Sequence, residues 1–200
     1  MEPFTTLSAI AVPLDTPNMD TDQIIPARYL GKPRPAQVEG LFRDMRYQGD
    51  GTPHLEFPLN QPRYAEAKIV VAGRNFGCGS SREQAVTVLV DNGFRAFIAQ
   101  SFGDIFTNNC FQNGVLPIRL PANRVEALLG LLHASPGARI TISLEDQTVI
   151  GPDGMAARFE IDSFRKDCLL RGVDEVSLTL SSEADIARFE ARRRCEQDWL

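Results

Sequence analysis

The stretch GRNFGCGSSREQA, Gly73 to Ala85, holds more residues able to do chemistry than any other part of this chain. It combines three glycines, a cysteine, two adjacent serines and an Arg-Glu pair between an apolar run, AKIVVAG, and a segment that reads as a helix. Strand-to-helix junctions of this kind are where α/β sheets commonly bind anions. The spacing excludes three standard sites. A P-loop requires GxxxxGK[ST], and the stretch has no lysine. Its glycines at positions 73, 77 and 79 do not fit GxGxxG. Ser80 and Ser81 lack the following glycine that a GxSxG nucleophile elbow requires.

Two readings of the remaining residues compete. In the first, Ser80 and Glu83 form the S-x-x-E capping box of a helix, worth about 1 kcal/mol, and Arg82 is a solvated side chain. In the second, Gly77 and Gly79 bring backbone N–H groups close to an anion, and Arg82 supplies a planar fork suited to a carboxylate. An arginine in the first turn opposes the helix dipole, which favours a ligand over helix stability as its purpose. The two hydroxyls then stand beside a bound carboxylate, where a proton could be transferred.

Metal chemistry has no local home. Cys78, Cys110, Cys168 and Cys195 lie tens of residues apart with no CxxC pair, and only His54 and His133 accompany them. Scattered thiols of this kind read as reduced cytoplasmic cysteines, with no metal site on the chain. A net charge of −5 argues against nucleic acid as a partner. The N-terminus, MEPFTTLSAIAVPLD, lacks the basic and then apolar runs of a signal peptide. No apolar run approaches the ~20 residues of a membrane span. A soluble cytoplasmic protein with a single domain over its 200 residues is expected.

The elements that must position this stretch follow in order. TTLSAIAVPL (5–14) reads as a first strand, and NMDTDQIIPARYL supplies turn and cap residues at Asn18, Asp20 and Asp22. Residues 31–62, rich in Pro, Gly, Arg and Gln, read as one long loop for substrate or partner, mobile in the isolated chain. Strands are predicted at 67–73, 94–102 and 115–120, with helices over 81–93 and 103–114. Val125, Leu128, Leu129 and Leu132 make the stripe of an amphipathic helix. ARITISLEDQTVI and MAARFEID, separated by GPDG, read as one β-hairpin. Closing helices follow, with a helical extension over 182–200. Strand and helix alternating in the middle predict a parallel α/β core.

GRNFGCGSSRE resembles the swivel-domain signature of the aconitase superfamily. Together with DTDQIIP, IAQSFGDIF, NNCFQNGVLPI and IDSFRKDCLLRG, in that order, the chain resembles the small subunits of 3-isopropylmalate dehydratase. The resemblance covers nearly the whole sequence. It implies a swivelling β/β/α domain like the aconitase C-terminal domain, with a partly barrel-like sheet and flanking helices. It also implies a hydro-lyase of leucine biosynthesis that isomerises 2-isopropylmalate by dehydration and rehydration. The [4Fe–4S] cluster is then expected on a large-subunit partner, with no cofactor on this chain.

By the same resemblance Ser80 is the base that removes the carbon-bound proton. Ser81 and Arg82 hold a substrate carboxylate, and Arg34 is placed near a substrate-binding arginine. Asp22 orients a catalytic histidine from the partner. Asn109, Asn113 and Gly114, with Gly77 and Gly79, shape the backbone around the site. Two departures stand out: Gln84 where the family has histidine after SRE, and GKPRPAQVEG where it has an RTGFG-like loop. They leave two other readings beside the first, a paralogue acting on 2-methylmalate, citraconate or dimethylmaleate, and a non-catalytic binding module.

Overall fold

The computed structural model describes residues 1–196. Its strands are β1 (Thr6–Leu14), β2 (Ile69–Ala72), β3 (Ala96–Ala99), β4 (Leu116–Arg119), β5 (Arg139–Ser143), β6 (Thr148–Ile150) and β7 (Ala156–Arg158). They form one mixed seven-stranded sheet in the order β4-β3-β2-β1-β5-β6-β7, curled into a half barrel. From β1 to β4 neighbours are parallel, and from β1 through β5 to β7 they are antiparallel. β1 therefore joins the two halves.

The helices are α1 (Thr21–Ile24), α2 (Arg34–Gln37), α3 (Arg43–Arg46), α4 (Gln84–Asp91), α5 (Asp104–Gln112), α6 (Ala122–Ala134), α7 (Ser163–Arg171), α8 (Glu175–Leu180) and α9 (Glu183–Glu196). β2 reads IVVA and β3 reads AFIA because both strands are covered on both faces, where every position must be apolar. Val70, Ala72, Phe97 and Ala99 face a core shared with Ala85, Val86, Val88 and Leu89 of α4 and Phe106 and Cys110 of α5. Ile69, Val71, Ala96 and Ile98 face the opposite core, with Val125, Leu128 and Leu132 of α6. The predicted stripe on α6 is thus the face that packs on the sheet, with Leu129 at its half-buried edge.

Three expectations are corrected. Residues 31–62 are not one loop but a succession of single helical turns, including α2 and α3. Leu41 and Phe42 are 1% and 0% exposed, and Phe57 and Met45 pack against the same core. Burying Phe42 contributes about 1.5–3 kcal/mol, enough to anchor a segment with no regular periodicity. The single hairpin expected over 138–162 is a three-stranded meander, since the turn between Ser143 and Thr148 splits its first arm into β5 and β6. α8, unanticipated, follows Asp174, whose side chain accepts from the amide of Ser177. α9 spans most of the predicted C-terminal extension, whose residues 197–200 lie outside the described residues. Among the described residues no helix is long and apolar enough to cross a membrane.

Candidate active site

The loops that follow β1, β2 and β3 meet at the carboxyl edge of the parallel half-sheet, where open α/β sheets bind ligands. Their contacts continue the sheet beyond its strands. Asn18 N donates to Arg74 O at 2.8 Å, Gly77 N to Met19 O at 2.8 Å and Thr21 N to Cys78 O at 2.9 Å. Asn75 N donates to the Ser101 hydroxyl at 2.9 Å, and the Asn75 side chain donates to Asn18 Oδ1 at 3.0 Å. The DTD block and the glycine-rich stretch are therefore one seam.

Two glycines make that seam possible. Gly77 has φ +70°, and a Cβ there would stand 2.3 Å from Cγ of Phe106, so the ring occupies the space a side chain needs. Phe106 itself is wedged among Phe76, Phe97 and Phe102, with ring centroids 5.4 to 6.4 Å away. Gly79, at φ +97°, turns the chain so that Ser80 and Ser81 emerge at the surface.

The capping-box reading fails. α4 begins at Gln84, its N-cap is Glu83, and no side chain caps it. The Glu83 carboxylate instead accepts from Asn113 Nδ2 at 3.4 Å. Ser80 lies too far upstream to reach the helix amides. Among the described residues its hydroxyl and that of Ser81 make no hydrogen bond, and the amides of Ser81, Arg82 and Glu83 also donate to nothing. Arg82 donates Nη1 to Asp22 Oδ1, with the arginine side chain 18% and the aspartate 56% exposed. Asp22, Ser80, Ser81 and Arg82 are thus brought together, with hydroxyls, free amides and a guanidinium on one open surface. Such a surface can hold an oxyanion and pass a proton.

The other expected site residues lie around it. Asn113 ties the end of α5 to Glu83, and its amide and side chain both bond to the Asn109 carbonyl, so Asn109 acts through backbone. The nearest neighbours of a Cβ on Gly114 are Met1 atoms, from 3.1 Å, which makes Gly114 a contact for the N-terminus. Arg34 makes no hydrogen bond to Ser80, Ser81 or Arg82, although it feels the charge of the neighbouring Glu83. It makes a two-point pair with Asp91, Nε to Oδ2 and Nη2 to Oδ1, both 2.8 Å, which raises its pKa further above the usual range. Cys78 donates weakly to Asn18 O at 3.5 Å, and burial and then Asp20 push its thiol pKa up. Residue-type reasoning missed Asn75 and Thr21 as parts of the site. Asn18, read as a turn residue, does adopt a positive φ of 55°, and Asn75 adopts 59°, where an isolated asparagine in a glycine-rich stretch is the signal that could have marked it.

The model for the aconitase C-terminal domain matches residues 1–123. The LeuD_N model matches 126–163, and the model for the C-terminal domain of the 3-isopropylmalate dehydratase small subunit matches 175–200. The chain belongs to the 3-isopropylmalate dehydratase small-subunit family. It is 50% identical over 201 residues to the 3-isopropylmalate dehydratase small subunit of Paramagnetospirillum magneticum, covering 100% of both chains. The small subunit of Leptospira interrogans is 49% identical over 203 residues, covering 100% of this chain and 98% of that one. The solved 3-isopropylmalate dehydratase of Methanocaldococcus jannaschii superposes with a TM-score of 0.67 at 24% identity. That match covers 92% of this chain and 98% of the other, and it shows the fold: the swivel-type α/β domain of the aconitase C-terminus.

Cys110 lies inside the core, Cys195 is exposed on α9, and Cys78 sits in the seam. Among the described residues no group of three or more His, Cys, Asp or Glu could hold a metal.

Proposed function

We propose that this chain is the small subunit of a heteromeric hydro-lyase that interconverts 2-isopropylmalate and 3-isopropylmalate through 2-isopropylmaleate in cytoplasmic leucine biosynthesis. The observation that carries the reading is the meeting of Asp22, Ser80, Ser81 and Arg82 on one surface in a chain of this family. The iron–sulfur cluster resides on the large subunit, and this chain supplies the proton and carboxylate half of the reaction.

Ser80 Oγ, as the alkoxide, takes the proton from the substrate carbon next to the one bearing the hydroxyl and becomes the neutral hydroxyl. The C–H electron pair becomes the second bond of the alkene as the hydroxyl departs from the neighbouring carbon. Rehydration returns the proton and adds the hydroxyl at the other carbon. A serine oxyanion needs stabilisation, and the unpaired amides at 81–83 and the Arg82 guanidinium are the groups that would give it. Arg82 spends one donor on Asp22, so most of its five N–H groups remain for a substrate carboxylate. Asp22 is the acceptor that a histidine of the large subunit would meet. Ser81 is a hydroxyl donor for a substrate carboxylate, and Arg34, paired with Asp91 and within the field of Glu83, stands at the border of the proposed site.

Anaerobic reconstitution with the cluster-loaded large subunit, following alkene absorbance from 2-isopropylmalate, tests the reading. Ser80→Ala should bind the partner normally and lose about 10²–10⁴-fold in kcat, the range for a removed general base. Undiminished turnover in that variant would remove Ser80 from the mechanism. Turnover of 2-methylmalate but not of 2-isopropylmalate would keep the reaction and overturn the substrate.

A further inference from the structure

Thr21, the middle residue of the DTD block, is 2% exposed, and its buried hydroxyl needs an acceptor. A helix threonine ordinarily finds one in its own preceding turn. Thr21 opens α1, so no such carbonyl exists, and its Oγ1 instead donates to the carbonyl of Ser80, 59 residues away, at 3.2 Å. Its amide donates to Cys78 O at 2.9 Å. One residue thus grips the carbonyls on both sides of Gly79, the point where the loop turns outward.

We infer that Thr21 is a positioning residue that holds Ser80 in its reactive orientation, an inference that rests on reading Ser80 as the base. Thr21 is itself rigidly mounted. Asp20 caps α1 through the Gln23 amide at 2.8 Å while Gln23 Oε1 accepts from the Asp20 amide at 3.2 Å. Ile24 and Ile25 behind it are fully buried, and Phe42 N donates to Ile24 O at 2.8 Å. Ser80 has no comparable support of its own. It and Ser81 are exposed, the amides from Ser81 to Glu83 are unpaired, and helical structure starts only at Gln84. The Arg82–Asp22 pair ties down the loop beyond Ser80 but leaves the serine's own peptide unheld. The hydroxyl of Thr21 is the one side-chain bond to the peptide unit of Ser80 among the described residues.

The test pairs Thr21→Val, which keeps the shape and loses the donor, with Thr21→Ser, which keeps the donor. In the reconstituted enzyme Thr21→Val should lower kcat about 10–100-fold, as a displacement near 1 Å does. Its KM should stay within about threefold, and Thr21→Ser should stay near wild type on both. In the isolated subunit, ¹⁵N relaxation should show the Ser80 and Ser81 amides rigid in the wild type and in Thr21→Ser. Their order parameters should fall in Thr21→Val from roughly 0.85 toward 0.6. If Thr21→Val does not assemble with the partner, Thr21→Ser against Thr21→Ala reads the same hydroxyl with the methyl absent from both. Unchanged order parameters in Thr21→Val, or equal kcat losses in the valine and serine variants, would overturn the inference. The relaxation result does not depend on turnover, so an active Ser80→Ala enzyme would fell the assignment of Ser80 while leaving the hold of Thr21 on the loop separately decided.

Discussion

Replacing Gly77 by alanine is the sharpest probe of how the seam is built. The new Cβ would stand 2.3, 2.5 and 2.8 Å from Cγ, Cδ2 and Cδ1 of Phe106. The ring cannot swing away, being 2% exposed and packed against Phe76 at 5.4 Å and Phe97 at 5.6 Å. Positive φ for a non-glycine residue costs about 1–2 kcal/mol, and overpacking a filled core costs about 1–3 kcal/mol more. A domain of this size loses roughly 2–4 °C of Tm per kcal/mol, so Gly77→Ala should melt roughly 10 °C below wild type. Gly93→Ala is the control, since Gly93 also has positive φ, +92°, but nothing lies within 4 Å of its would-be Cβ. It should lose only the conformational part, a few degrees. Thermal unfolding followed by circular dichroism measures both. Equal drops in the two variants would show that Phe106 contributes nothing, and an unshifted Gly77→Ala would refute the packing argument.

Arg82→Lys keeps the charge but loses the planar fork, and it should raise KM for the malate roughly tenfold or more, with kcat less affected, in the reconstituted assay. Alkylation followed by peptide mass spectrometry should label Cys195 well before Cys110, because Cys195 is exposed while burial pushes the Cys110 thiol well above its ordinary pKa. Cys78, also raised, by burial and Asp20, should react between them. The hydrogen bond from Arg28 holds the Asp44 carboxyl below its ordinary pKa. Its contribution to stability is therefore present above that ordinary value and lost as pH falls through the lowered one. At an exposed pair the contribution is under about 1 kcal/mol, and Asp44→Asn should flatten acid unfolding by no more than that.

Local pattern was enough for the parallel half of the sheet, the stripe of α6, and the meeting of glycines, serines and arginine after β2. Apolar runs long enough to be strands, helical periodicity, and glycines where the chain must turn are all written into neighbouring residues. The family, too, was legible, through motifs spread over nearly the whole length. The rest was settled by contacts between distant parts of the chain. Residues 31–62 looked like a loop because their apolar residues follow no period, yet Leu41 and Phe42 are held by a core assembled from β1, α1 and α4. S-x-x-E is a local capping signal, but the seam with residues 18–21 pulls Ser80 away from α4 and leaves its hydroxyl free. Arg34 could be placed near substrate by motif order, while its partner, Asp91, is 57 residues away in sequence. Thr21 and Ser80 are 59 residues apart, and no spacing rule joins them. Parallel pairing of β1 with β2 does, because it extends past both strand ends and sets the two loops side by side.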